Sequence, residues 1–269
     1  MTISPSELSA ILEVAEQLAI QAGAEILAVR QRGCVTNSKA DGSPVTEADQ
    51  RGEKVIVEGL AKHFPSVPIV AEEMAAAGQL PKGLEDAFFL VDALDGTKEF
   101  CFGRDEFTVN IALVRNGEPV LGVVSAPALR MIYSGFTGGE GASRAGLSAS
   151  GEVGRREKMT ARARHDPLTI LATRSHMNDE TSAFLSQHPG ALTRSIGSSL
   201  KFCLLAAGQA DIYPRFGTTM EWDTAAGDAI LRAAGGTTET LDGKALTYGR
   251  RAQTGMADFQ NPFFVARGR

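Results

Sequence analysis

Apolar residues recur at Leu8, Leu12, Ala15, Leu18, Ala19, Ala22 and Ile26, a helical spacing. Ser4-Pro5-Ser6-Glu7 ahead of them offers an N-cap, a proline in the first turn and a capping-box Glu; Gly33 is a natural stop. After a polar loop, Asn37 to Pro44, Thr46 caps a second helix running to about Lys62, and Phe64-Pro65 ends it. The pattern then changes to short apolar runs. Val67–Ala71 and Phe88–Leu94 predict strands. Phe107–Arg115 and Pro119–Ser125 flank Asn116-Gly117, a hairpin signal, and Met131–Phe136 adds a further strand. This part predicts two helices packed on a mostly antiparallel sheet.

Residues Gly154 to Asp166 carry Arg155, Arg156, Lys158, Arg162 and Arg164 with little apolar content, which reads as a solvated linker. The expected division is an α+β unit over 1–160 and an α/β unit over 161–269. In the second unit strands (Leu168–Thr173, Ala210–Tyr213, Pro262–Ala266) alternate with helices (Asp179–Gln187, Ser198–Ala207, Trp222–Ala234).

Composition narrows the possible partners. With 43% hydrophobic residues in 269, the chain can bury a core without a disulfide or metal scaffold. Its net charge of −5 disfavours a nucleic-acid binder, and the basic run lacks interleaved aromatics. Cys34, Cys101 and Cys203 form no metal or redox motif and read as reduced thiols. Glu7, Glu13 and Glu16 interrupt any signal-peptide core, and no run approaches the roughly 20 apolar residues of a membrane span. A cytoplasmic location follows as the expectation. Attachment at the cytoplasmic face of the inner membrane stays open, as do monomer and homodimer.

The chemistry concentrates at strand ends. The strand Phe88–Leu94 delivers Asp92 and Asp95, three residues apart, with the Leu94 carbonyl between them and Gly96 allowing a tight turn. Carboxylates and a carbonyl are the ligands hard divalent cations prefer. Glu72-Glu73 follows another strand, and Asp223 opens a helix. Taken singly, these read as a turn, a solvated loop and an N-cap.

Together, VAEE (Val70–Glu73), VDALDGTKEF (Val91–Phe100) and WDTAAG (Trp222–Gly227) resemble the metal-site motifs of the inositol monophosphatase superfamily, whose members hydrolyse phosphate monoesters with Mg²⁺ and are lithium-sensitive. SPVTEAD (Ser43–Asp49) resembles its water-activating loop. Lys98, TRSH (Thr173–His176), GSSLKFC (Gly197–Cys203) and YPRFG (Tyr213–Gly217) resemble the 3′(2′),5′-bisphosphate nucleotidase branch. Where the family has Pro in DPLDGT, this chain has Ala93.

The resemblance implies a layered αβαβα sandwich of the inositol monophosphatase/fructose-1,6-bisphosphatase type. It implies one Mg²⁺ on Glu72, Asp92 and the Leu94 carbonyl, a second on Asp92, Asp95 and Asp223, and room for a third near Glu72. Thr97 would orient the attacking water, with Asp49 accepting the Thr97 proton. The substrate would be a small bisphosphate nucleotide, adenosine 3′,5′-bisphosphate, touched by Glu72, Leu94, Asp95, Gly96, Thr97, His176, Ser199, Lys201, Arg215 and Asp223. Its hydrolysis to AMP and phosphate would recycle nucleotide in sulfur assimilation; cleavage of 3′-phosphoadenylyl sulfate stays open. Two other readings are a sugar-phosphate phosphatase of the inositol monophosphatase type and a non-catalytic Mg²⁺ or nucleotide sensor.

Overall fold

Helix α1 (Pro5–Arg32) begins at the capping box its sequence offers: the Glu7 N–H donates to Ser4 Oγ at 3.3 Å and the Ser4 N–H to Glu7 Oε2 at 2.7 Å. The computed structural model describes residues 3–33, 36–38, 44–173 and 178–269. Within the expected polar loop, strands β1 (Thr36–Ser38) and β2 (Pro44–Thr46) pair antiparallel. Thr46 then caps α2 (Glu47–His63), which buries Ala48, Ile56 and Leu60. The two helices approach closely at Gly59, where a Cβ would stand 2.2 Å from Leu18 Cδ2, so any larger residue would require the Leu18 side chain to shift.

Next come β3 (Ile69–Ala71), the short α3 (Glu72–Ala76), β4 (Ala87–Asp95), the short α4 (Thr97–Cys101), β5 (Thr108–Arg115), β6 (Glu118–Ala126), β7 (Met131–Phe136), β8 (Gly141–Gly146) and β9 (Glu157–Met159). The strands form one seven-stranded sheet in sequence order, with only the β3–β4 pair parallel. β4 reads as a continuous apolar run because both its faces are covered. Phe89, Val91 and Ala93 face α1 and α2, while Phe88 and Leu90 belong to the core on the opposite face.

The second sheet is built from β10 (Thr169–Thr173), β11 (Leu192–Ile196), β12 (Ile212–Arg215), β13 (Thr237–Thr240) and β14 (Phe264–Arg267), in the order β11-β10-β12-β14-β13. Helix α5 (Asp179–Ser186) covers its outer face, where Phe184 meets Phe216 at 5.6 Å between ring centroids. Helices α6 (Leu200–Ala206) and α7 (Glu221–Ala233) fill the space between the sheets; Phe202, Trp222, Ala226 and Ile230 share one core with residues of both. The layers run helices, sheet, helices, sheet, helix, which is the αβαβα sandwich.

The basic stretch differs from a bare linker. It supplies β9, and its arginines meet buried acids: Arg156 donates to Glu16 at 2.9 and 2.6 Å, and Arg162 to Asp211 at 3.0 and 2.6 Å. Charge pattern alone does not reveal which arginine has a distant partner. Among the described residues no helix is long and apolar enough to cross a membrane.

Candidate metal centre and catalytic cleft

Strand β4 carries the first two acids. Its register with β5 shifts between Asp92 and Asp95, so the chain bulges where the motif begins. Gly96 then turns with φ +95°, and a Cβ there would stand 3.2 Å from the Glu106 carbonyl oxygen. The turn starts α4 at Thr97 and leaves Asp95 and Thr97 facing a cleft of about 740 Å³. Glu72 comes from the start of α3, directly after β3. Asp223 comes from the first turn of α7, which lies between the sheets. It is not the N-cap the sequence suggested: Met220 holds that position, and its N–H donates to Asp223 Oδ2 at 2.8 Å.

Glu72, Asp92 and Asp223 bring ligand oxygens within 4.8 Å of one another. Asp95 stands outside that mutual spacing; its Oδ2 accepts the Ser199 N–H at 2.5 Å. Asp92 is buried and accepts the Leu94 N–H at 2.9 Å. Burial, then the neighbouring Glu72, Asp95 and Asp223 charges, hold its carboxyl well above the usual range. Asp223 is raised well above its ordinary value for the same reasons, burial first and then Asp95 and Glu72. Burial lifts Asp95 to about 6 despite the Lys201 charge and the Ser199 hydrogen bond. Carboxylates placed this closely at neutral pH need a countercharge, and an all-oxygen donor set suits a hard divalent cation.

A hydroxyl lies beside them. Thr97 Oγ1 stands 3.1 Å from Asp49 Oδ1 and 3.1 Å from the Leu94 carbonyl, as donor to either. Asp49 is buried, with Oδ2 held by the Thr46 N–H at 2.7 Å and the Thr46 hydroxyl at 2.8 Å. Burial raises its pKa, partly offset by these bonds.

The residues expected on the nucleotide side gather at the same cleft but have local partners. Ser199 is buried, and its Oγ lies 2.9 Å from Thr108 Oγ1 and 2.6 Å from Asn110 Oδ1. Lys201 Nζ donates to the Ser198 carbonyl at 2.5 Å and the Ile196 carbonyl at 3.2 Å, and stands 5.1 Å from the Tyr213 ring centroid. Burial lowers its pKa to about 8. Arg215 donates to Thr173 Oγ1 at 2.9 Å and the Thr218 carbonyl at 2.7 Å, while its buried Nε has no partner among the described residues. His176 lies outside the described residues.

Of the buried acids outside the motifs, Glu53 and Glu221 hold backbone N–H groups next to motif or cleft residues. Glu53, on α2, accepts the N–H groups of Glu73 at 2.7 Å and Met74 at 2.9 Å; burial pushes it up to about 7. Glu221, beside Trp222, accepts the N–H groups of Gly249 and Arg250 and is raised to about 7, again by burial. Glu53 had a sequence signal, since it interrupts the apolar stripe Ala48, Ile56, Leu60 on α2. Glu221 had none beyond its neighbour Trp222.

The profile of the inositol monophosphatase family matches residues 7–260. The 3′(2′),5′-bisphosphate nucleotidase CysQ of Salmonella typhimurium is 43% identical over 256 residues, covering 94% of this chain and 98% of that protein. The enzyme of the same name from Escherichia coli K12 is 44% identical, over 84% of this chain and 86% of its own length. Among solved structures, CysQ from Bacteroides thetaiotaomicron superposes with a TM-score of 0.77 at 36% identity, covering 96% of this chain and 97% of that one. An IMPase from Thermotoga maritima gives 0.74 at 27% identity, covering 96% and 92%.

Proposed function

We propose, because this chain belongs to the inositol monophosphatase family, that it is a phosphoric monoester hydrolase that removes the 3′-phosphate of adenosine 3′,5′-bisphosphate, giving AMP and phosphate. The observation that carries the reading is the convergence of Glu72, Asp92 and Asp223 from three separate elements within 4.8 Å, beside the Thr97–Asp49 pair. The relatives named as bisphosphate nucleotidases, at 43% and 44% identity over most of the chain, favour the nucleotide over other phosphate esters.

The donor set fits Mg²⁺: Glu72, Asp92 and the Leu94 carbonyl would hold one ion, and Asp92, Asp95 and Asp223 a second. Bound there, Mg²⁺ supplies positive charge to the phosphoryl oxygens and makes water more acidic. The protein's own groups handle the proton. With the Thr97 hydroxyl donating to Asp49 Oδ1, its lone pairs are turned outward to accept a proton from a water in the cleft. As that proton arrives on Thr97 Oγ1, the Thr97 proton moves to Asp49. Burial makes Asp49 a better proton acceptor than an exposed Asp, and Thr46 fixes its orientation. The water oxygen forms its bond to phosphorus as the phosphorus–ribose oxygen bond breaks, and the departing ribose oxygen takes up a proton from solvent water, so that AMP leaves with a free 3′-hydroxyl. Lys201 and Arg215 keep cationic charge at the cleft wall for the second phosphate. The chain would work in the cytoplasm on a small diffusible substrate.

The test is Mg²⁺-dependent phosphate release from adenosine 3′,5′-bisphosphate and from inositol 1-phosphate, with and without Li⁺. A higher kcat/KM on the nucleotide, inhibited by Li⁺, is expected; a higher value on the inositol ester would overturn the substrate. No release from any monoester would make the fold a sensor, in which a Thr97–Asp49 proton pair has no use. Lys201→Ala and Arg215→Ala are expected to raise KM for the nucleotide more than they lower kcat.

A further inference from the structure

Helix α3 carries Glu72 as its first residue but has no side-chain cap of its own. Its N-cap is Ala71, with φ −123° and ψ 152°, and Ala has no oxygen to offer the first-turn N–H groups. Those groups are satisfied from another helix. Glu53 Oε2 accepts the Glu73 N–H at 2.7 Å and Glu53 Oε1 the Met74 N–H at 2.9 Å. Glu73 and Met74 are the second and third helical residues, whose donors a capping Ser or Asp at Ala71 would take. One buried carboxylate, 6% exposed, thus does for α3 what its own N-cap cannot.

Resting on the hydrolase reading above, we propose that Glu53 is a positioning residue: by capping α3 from α2 it fixes where Glu72 presents its carboxylate to Asp92 and Asp223. The placement explains why an acid occupies the core-facing stripe of α2, between Asp49 and Ile56. The same helix therefore sets both sides of the reaction centre. Asp49 orients Thr97, and Glu53, one turn on, orients the segment bearing Glu72.

Calorimetric titration with Mg²⁺ alone tests this, beside kcat at saturating Mg²⁺. In Glu53→Gln the amide nitrogen replaces one acceptor and opposes a backbone N–H, so Mg²⁺ affinity should fall roughly ten-fold, with kcat recovering at high Mg²⁺. Adding Ala71→Ser to that variant gives α3 its own cap and should restore most of the affinity. A purely structural acid would behave differently. Glu16→Gln, which breaks the buried pair with Arg156, should lower Tm and leave Mg²⁺ affinity unchanged. If Glu53→Gln does not fold, Glu53→Asp, too short to reach both donors, should show a smaller loss of affinity. Wild-type Mg²⁺ affinity in the Glu53 variants, or no rescue by Ala71→Ser, would overturn the proposal and leave the hydrolase reading standing. A wild-type protein that takes up no Mg²⁺ would remove both.

Discussion

Asp92 and Asp211 are both buried aspartates, yet they do opposite things. Asp211 is saturated: Arg162 donates to it through Nε at 3.0 Å and Nη2 at 2.6 Å, the His165 N–H at 3.1 Å and the Thr169 N–H at 2.6 Å. These bonds outweigh its desolvation and hold its pKa below the usual value. Asp92 has the Leu94 N–H and three acidic neighbours, and its pKa moves the other way. A carboxylate that has found its donors ties elements together, here β10 to the segment leading into it. One that is buried among other carboxylates costs stability until something neutralises its charge. The difference lies in the neighbours, not in the residue.

The comparison can be broken most forcefully at the cluster. Asp92→Asn should lower phosphate release at least roughly a thousand-fold while leaving the metal-free protein as stable or up to about 2 kcal/mol more stable, because it removes repulsion. A metal-free Asp92→Asn protein that unfolds more easily than wild type would show that Asp92 ties the fold together after all. Asp211→Asn should do the reverse, costing about 3 kcal/mol in denaturant unfolding with kcat and KM unchanged in the folded protein. The sign with pH follows from its lowered pKa. The contribution is fully present above the unfolded value of 3.8 and is lost as pH falls through the lower folded value. The gap between wild type and Asp211→Asn should therefore narrow below pH 3.8; a gap that widens there would reverse the assignment.

Two smaller changes sharpen the contrast. Thr97→Val removes the hydroxyl proposed to hand its proton to Asp49 and should cost about a hundred-fold in kcat, with Thr97→Ser retaining most activity. Equal losses in both would exclude the hydroxyl from the proton path. Ser199→Ala leaves the backbone N–H on Asp95 but frees it from Thr108 and Asn110. It should weaken Mg²⁺ binding by roughly ten-fold, and an unchanged titration would mean that the backbone alone holds Asp95.

Much of the fold was legible because local signals agreed. The Ser4 and Thr46 caps, the Asn116-Gly117 turn and the apolar runs of β4, β5 and β6 all act over a few residues, and the observed elements follow them within a residue or two. Strand β11 was missed because Leu192 to Ser195 are exposed at a sheet edge and carry no alternation. The short helices α3 and α4 were missed because five residues show no periodicity.

For the candidate site, the motifs picked out Glu72, Asp92 and Asp223, which the fold brings together, since glycine turns and strand-end carboxylates are visible in sequence. They did not reveal that Ser199 bonds back to Thr108 and Asn110, that Lys201 also donates to two backbone carbonyls, or that Glu53 caps a helix it does not belong to.

The sequence alone thus determined most of the longer elements, the donor types and the family, because each depends on residues near in sequence. Only tertiary packing decided which acids share one small volume, where α7 lies against the sheet that holds β3 and β4, and which find an arginine, as Glu16 and Asp211 do. Charge and hydrogen bonding act through space within a few ångströms, and the fold sets those distances.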